Sequence, residues 1–333
     1  GARPLSSPHA RRLPDFPWDV LAPYAERARS HPAGVVDLSV GTPVDPTPDL
    51  IQRALADATN APGYPTTVGT LALREACAGW LHRRLNVECA PSSIIPSIGS
   101  KELVAWLPTL LGLGPAEHVV LPRIAYPTYA VGAALAGCRV TATDEPEHVT
   151  DASLIWINSP ANPTGRVLGP ARLAKIVAHA RSIGAVLASD ECYVELGWET
   201  EPCSVLDPRA CAGSHAGLLA VHSLSKRSNL AGYRFGFVAG DAALVARILE
   251  VRKHAGMMTP APIQAAAAVA LGDDAHVEVQ RERYRSRRQA MRTALEAAGF
   301  AIEHSEAGLY LWSTTGEPCW DTVSWFADRG IVV

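Results

Sequence analysis

"GLLAVHSLSKRSNLAGYRFGFVAGD" runs from Gly217 to Asp241. Its outer parts, "GLLAVHS" (217–223) and "FGFVAG" (235–240), have the length and apolar character of buried strands. Between them stand one lysine, Lys226, and two arginines, Arg227 and Arg234, spaced by serines and glycine. Most lysines belong on a solvated surface. A lysine at the end of a buried strand, with an arginine eight residues further on, needs a reason.

The rest of the chain supplies a frame for it. Further short apolar runs occur at 35–40 ("VVDLSV"), 93–98 ("SIIPSI"), 118–122, 138–143, 153–158 ("SLIWIN") and 185–189 ("AVLAS"), most with a helical pattern between them. Such alternation predicts an α/β fold, a mostly parallel sheet covered by helices on both faces. After Asp241 the pattern changes to long helices as far as about residue 298, broken at "GMMTPAP". "FAIEHSEAGLYLW" then reads as two short antiparallel strands and "WDTVSWFADRG" as a helix ended by Gly330, which together make a smaller α+β unit.

Ligands of parallel sheets bind outside the carboxyl ends of the strands. Four features of this chain fall there. After 93–98 comes "GSKE", a glycine turn opening a helix, whose N–H groups at Ser100 and Lys101 can cradle a phosphate. After 153–158 comes "NSPANPTG", after 185–189 comes "DECY" with Asp190 at the tip, and after 217–223 comes Lys226. Each has a plain reading by itself: a helix start, a turn, a cap, a surface lysine. Converging on one edge, they are the set that pyridoxal phosphate (PLP) requires. That cofactor takes a lysine for its Schiff base, a carboxylate for its pyridine nitrogen and donors for its phosphate. Its lysine also needs a depressed pKa, which burial and neighbouring cations supply.

Composition excludes other classes. A net charge of -3 in 333 residues argues against nucleic acid as a partner, and "RERYRSRR" (281–288) reads as a solvated helix face. Seven scattered cysteines with no C-x-x-C point to a reduced, cytoplasmic protein, and eleven histidines without ligand spacing give no support for a metal. No apolar run has transmembrane length, and "GARPLSSPHARRLPDFPWD" lacks the apolar segment of a signal peptide. Tyr129 and the tryptophans Trp80, Trp106, Trp156, Trp198 and Trp312 read as core aromatics.

"NSPANPTG", "SDECY" and "SLSKRSNLAGYRFGFVAGD" resemble the PLP-dependent class I/II aminotransferases, over nearly the whole chain from about residue 14. The resemblance implies the fold-type I PLP-transferase fold, with a mostly parallel seven-stranded sheet in its large domain. It implies an N-terminal arm (1–40) belonging to the small domain, a large PLP-binding domain (41–255) and a small C-terminal domain (256–333). By the same resemblance Lys226 is the Schiff-base lysine and proton carrier, and Asp190 pairs with the pyridine nitrogen. Asn162 and Tyr193 hydrogen-bond the ring's phenolic oxygen, and Tyr126 stacks on the ring. Ser100, Lys101, Ser223 and Arg234 hold the phosphate. Tyr64 reaches the phosphate of the neighbouring subunit, which implies a homodimer. Gly41, Asn162 and Trp18, the last in an N-terminal segment that closes over the substrate, are the implied substrate contacts.

"DLSVGTPVDPTPDLIQRAL", "GSKELVAWLPTLLGLG" and "VRKHAGMMTPAPIQAA" are similar to the actinobacterial succinyldiaminopimelate aminotransferases. That likeness implies ping-pong amino transfer between N-succinyl-LL-2,6-diaminopimelate and 2-oxoglutarate. Arg252, Lys253 and His254 are the basic groups expected at the mouth for so anionic a substrate. In the resembled family an arginine that clamps the substrate α-carboxylate follows a strand of the "GIVV" kind, and this sequence ends at that strand. The alternative reading is a PLP-dependent lyase, decarboxylase or cyclase on the same scaffold.

Overall fold

The computed structural model describes residues 13, 14 and 16–333, so most of the arginine-bearing N-terminal stretch lies outside the described residues. In chain order the helices are α1 (Pro17–Arg29), α2 (Asp49–Asp57), α3 (Leu71–Leu85), α4 (Ser100–Leu110), α5 (Thr128–Ala136), α6 (Pro170–Ser182), α7 (Pro208–Cys211), α8 (Ala242–Ala255), α9 (Ala261–Gly272), α10 (Ala275–Ala297) and α11 (Cys319–Ala327). The strands are β1 (Val36–Asp37), β2 (Ile94–Ser97), β3 (His118–Leu121), β4 (Arg139–Ala142), β5 (Leu154–Asn158), β6 (Val186–Asp190), β7 (Leu218–Ser223), β8 (Gly236–Gly240), β9 (Ala301–Ile302), β10 (Ser313–Thr314) and β11 (Ile331–Val332).

Seven strands form one sheet in the order β2-β8-β7-β6-β5-β3-β4. Only β8 runs against its neighbours. The chain crosses from β7 to β8 in a short connection, and short connections join antiparallel strands. The remaining crossovers carry α-helices, except that from β4 to β5, which has only a short 3-10 turn at Pro146–His148, and the strands they join lie parallel in the sheet.

Alternation along each strand sorts the side chains between two helical layers. Ile155, Leu187, Leu218, Ala220 and Phe237 face α3, α6 and α9, where they meet Trp80, Leu81, Ile176 and Ala267. Leu154, Trp156, Ala188, Leu219 and Val221 face α4, α5 and α8, where they meet Leu103, Leu107, Tyr129 and Ile248.

The run 35–40 stays out of this sheet. Its two-residue β1 pairs in parallel with β11, and Val36, Leu38 and Val40 remain exposed. Helix α1 packs beside that pair through Ala25, Ala28, Ala327 and Val332, so the two ends of the described chain share one small cluster. Strands β9 and β10 form the expected antiparallel pair, with Ser313 opposite Ile302.

Two expectations need correction. The arginines of 281–288 are more than a solvated face. Arg287 pairs with Asp45 at 2.6 Å, and Arg288 reaches Glu199 and the Ser305 carbonyl, each at 2.7 Å. Loops folded against α10 present carboxylates and carbonyls to it, and long guanidinium side chains find them. Trp106 and Trp312 are 38% and 36% exposed, so only Trp80 and Trp156 are wholly core. Among the described residues no helix is long and apolar enough to cross a membrane.

One close approach holds the sheet edge together. A Cβ added at Gly236 would lie 2.7 Å from the His222 carbonyl oxygen and 2.9 Å from the Ser100 backbone nitrogen. Real Cβ atoms do not come so near, and the obstacles are backbone. Gly236→Ala is expected to lower stability by about 1–3 kcal/mol, the usual cost of overpacking. Gly232→Ala, where an added Cβ meets nothing within 4 Å, should be close to neutral. Urea unfolding of the two variants checks this, and equal midpoints would refute it.

Candidate active site

Backbone register brings the four strand-end features side by side. Asn158 pairs with Asp190, and Asp190 with Val221. Gly236 pairs with Ser223 on one side and Ser97 on the other. Strand β2 is antiparallel to β8 and therefore parallel to β7, so all these carboxyl ends open on one edge.

Asp190 ends β6 with its side chain buried. The Tyr129 hydroxyl donates to it at 2.8 Å and the Cys192 backbone N–H at 3.2 Å. Burial pushes its carboxyl pKa up, and these donors hold it back. Burial and the adjacent carboxylate keep the Tyr129 hydroxyl well above the ordinary tyrosine range, so it stays a donor. Tyr129 is thus a site residue that the sequence presented only as a core aromatic. Its spacing from Tyr126, three residues along the chain as α5 begins, is the one hint the sequence carries.

Asn158 is another residue the motif reading passed over. Its side-chain amide donates to the backbone carbonyls of Asp190 (2.9 Å) and Pro160 (3.0 Å) and accepts from the Asn162 N–H at 2.6 Å. It pins the "NPTG" turn to the end of β6, and so places Asn162.

Lys226 lies just beyond β7, half-buried. Burial lowers its pKa. Cys192 works against that shift, and the Arg234 guanidinium adds to it. The Tyr284 hydroxyl donates to the Lys226 carbonyl at 3.1 Å, which fixes the backbone from the far side. The Cys192 thiol lies among Asp190, Ser100 and Lys226.

Arg234 sits against the start of α4. It has φ 58, and its Nη1 donates to the Ala231 carbonyl at 2.8 Å. A Cβ on Gly99, itself at φ +76, would fall 2.5 Å from Arg234 Nη2. The glycine makes room for a guanidinium beside a helix N-terminus, whose first N–H groups have no intrahelical partner. Ser100 opens that helix, and Lys101 follows it, exposed, with Nζ 6.0 Å from the Tyr126 ring and 5.7 Å from the Phe16 ring. Tyr126 is half-buried, and burial raises its hydroxyl pKa.

A second wall forms from farther along the chain. Tyr193 is buried, with its pKa raised well above the usual value by burial, and its ring stands edge-on to Tyr310 at 6.4 Å. A Cβ on Gly41 would lie 2.9 Å from the Tyr310 hydroxyl, so the Gly41 loop closes onto that ring. Tyr310 carried no signal beyond its place in a strand-like run.

Two expected residues stand apart within the single chain. Tyr64, between α2 and α3, is 96% exposed, and Trp18 is 42% exposed on the first turn of α1. The aromatic ring of that N-terminal segment set against Lys101 is Phe16. The basic trio expected at the mouth is largely committed elsewhere. Arg252 is fully buried and paired with Glu102 at 2.8 Å, while Lys253 and His254 both pair with Glu250.

The donor set fits PLP: a lysine with a lowered pKa, a buried carboxylate held by donors, an aromatic ring, and a cation beside a helix start where glycine leaves space. The profile of the family "Aminotransferase class I and II" matches residues 33–329, and the chain belongs to that family, whose members depend on PLP. It is therefore an aminotransferase of fold-type I. It is 59% identical over 325 residues to the 4-dedimethylamino-4-oxo-anhydrotetracycline transaminase OxyQ of Streptomyces rimosus, spanning 97% of this chain and 90% of that one. It is 58% identical over 336 residues to a probable aminotransferase of Mycobacterium tuberculosis, covering 100% of this chain and 80% of that one. Among solved structures, a probable N-succinyldiaminopimelate aminotransferase from Thermus thermophilus superposes with a TM-score of 0.86 at 30% identity, over 95% of this chain and 89% of that one.

Tyr129→Phe removes the hydroxyl donor from the buried Asp190 carboxylate. The expected loss is about 1–3 kcal/mol, the cost of leaving a buried acceptor short of a partner. Denaturant titration against wild type measures it, and an unchanged midpoint would show that the Tyr129–Asp190 bond contributes nothing.

Proposed function

We propose that Lys226 carries PLP and that this enzyme moves an amino group from glutamate to a bulky carbonyl compound. The observation that supports it best is the meeting of Lys226, Asp190 and the Arg234-flanked start of α4 on one sheet edge. When bound, the cofactor supplies an electron sink and a carrier for the amino group. Asp190 would favour the protonated form of its pyridine nitrogen by charge. Asn162 and Tyr193 would hold its phenolic oxygen, Tyr126 would pack against its ring, and Ser100, Lys101, Ser223 and Arg234 would hold its phosphate. The lowered pKa of Lys226 makes the neutral amine, the form that attacks a carbonyl, more available. Gly41 and Asn162 would contact the substrate, while Trp18, exposed and apart from the site in one chain, would do so only if the N-terminal segment closed over it.

For the carbonyl partner, the keto form of N-succinyl-diaminopimelate is supported by the Thermus neighbour at 30% identity. A 4-oxo, tetracycline-type ketone is supported by the relative at 59% identity, and we favour it. The burial of Arg252 against Glu102 withdraws one of the basic groups expected for the more anionic alternative. The activities named for the relatives, all amino transfer, favour transamination over a lyase, decarboxylase or cyclase reaction.

Borohydride reduction of the PLP-loaded enzyme should leave the pyridoxyl label on Lys226, and a label on Lys101, Lys175 or Lys253 would overturn the assignment. In the same preparation glutamate should discharge the cofactor absorbance and yield 2-oxoglutarate, after which the ketone should restore it faster than the succinylated keto acid. Restoration only by the succinylated acid would reverse the preference. No 2-oxoglutarate from glutamate would remove glutamate as the donor.

The active form is proposed to be a homodimer, with Tyr64 serving the partner's phosphate site. Its near-complete exposure in one chain supports this. Mixing Lys226→Ala with Tyr64→Phe protein should regenerate activity, because the hybrid holds both lesions in one site and leaves the other whole. Verified hybrids that stay inactive would count against a shared site.

A further inference from the structure

Side chains alternate along a strand, so Asp190 and Ser223 face one helical layer while Glu191 and His222 face the other. On that second side lies a small void of about 10 Å³, walled in part by Trp80, Glu191, Glu195, His222 and Arg227 and reaching Cys192 and Ser223. Trp80, Glu191, His222 and Arg227 are at most 4% exposed. Yet Trp80 Nε1, Glu191 Oε2, both ring nitrogens of His222 and Arg227 Nη2 have no hydrogen-bond partner. His222 Nε2 and Glu191 Oε2 are 3.6 Å apart, too far for a direct bond. The imidazole cannot turn away to find one, because Trp80 and Phe237 flank it, each with its ring centroid 5.0 Å away.

Native interiors leave few polar atoms unpaired. A void of this size, lined by residues that carry several unpaired polar atoms, is what one buried water occupies. We propose that the void holds a single water hydrogen-bonded to Glu191, His222 and Arg227, and that this set fixes Asp190 relative to Lys226. In this arrangement the water accepts from Arg227 Nη2 and donates to one His222 nitrogen and to Glu191 Oε2 in its carboxylate form, although burial pushes the Glu191 pKa up to about 7; Trp80 Nε1 and the second His222 nitrogen keep no partner. Burial pushes the His222 pKa down to about 3, so its ring is neutral and has a lone pair to offer.

The positioning follows from the neighbours of these residues. Glu191 adjoins Asp190, and its other oxygen accepts from the Val205 N–H at 2.7 Å. Arg227 adjoins Lys226 and is pinned by Glu195, the Ser228 hydroxyl (3.0 Å) and the Ala270 carbonyl (3.1 Å). Two anchored groups, one beside each site residue, thus line the same small void. Glu191 and His222 act as positioning residues, a claim that rests on Lys226 being the cofactor lysine; the water itself does not.

A high-resolution crystal structure of the PLP-loaded enzyme should show one ordered water in hydrogen-bond range of Glu191 Oε2 and Arg227 Nη2. An empty void, or one closed by a direct Glu191–His222 bond, would overturn the proposal. Glu191→Leu should reduce the visible circular dichroism per bound cofactor and lower kcat roughly tenfold or more with KM little changed, since small misplacements are costly to rate. Glu191→Gln, which can still bind the water, should keep both near wild type. Should the leucine variant not fold, His222→Phe, which fills the void, gives the same comparison. Lower thermal stability with dichroism and kcat unchanged would reduce the set to structural filler. If the water is present while the borohydride label maps away from Lys226, the cofactor assignment fails and the water site stands.

Discussion

A carboxylate set into the interior of a sheet is the constraint on which this edge of the molecule depends. An unpaired buried charge is costly, so Asp190 requires donors that cannot leave. Tyr129 supplies one from the start of α5, and the Cys192 N–H supplies another from the turn that follows β6. Asn158 holds the Asp190 carbonyl and the "NPTG" turn together. The result is a negative group whose position is set by three elements, which suits a partner for a cationic ring nitrogen.

Positive charge at the same edge is kept available by pairing other cations elsewhere. Arg227 is neutralised by Glu195, and Arg252 by Glu102. Lys226 and Arg234 are left facing the opening, where burial chiefly, and the arginine's charge in addition, lower the lysine's pKa. The guanidinium can stay because Gly99 has no side chain to exclude it, and Gly236 lets the strand beneath come within contact of the helix start. The chemistry of the site therefore rests on two glycines as much as on its charged groups.

How much of this the sequence announced depends on the range of the interaction. The strand-end features at "GSKE", "NSPANPTG", "DECY" and Lys226 were legible because each is a local pattern, an apolar run followed by a turn. Their convergence followed from the rule that parallel strands end on one side. The two helical layers were legible for the same reason, since the apolar runs and the helical patterns between them recur along the chain.

What only the tertiary structure decided involves partners distant in the chain. Tyr129 becomes a donor because α5 lands over β6, sixty-one residues away. Tyr310 meets Gly41 and Tyr193 because a late loop folds back over the sheet edge. The run 35–40, which reads like a core strand, pairs instead with the last strand of the chain. Arg252 looked free beside two other basic residues until Glu102, 150 residues earlier, was found to hold it. A sequence displays periodicity and turn chemistry because these act between neighbours. It does not display which charge or hydroxyl will meet which, because that is settled by the packing of whole elements, where the cost of a buried unpaired group selects among arrangements that look alike along the chain.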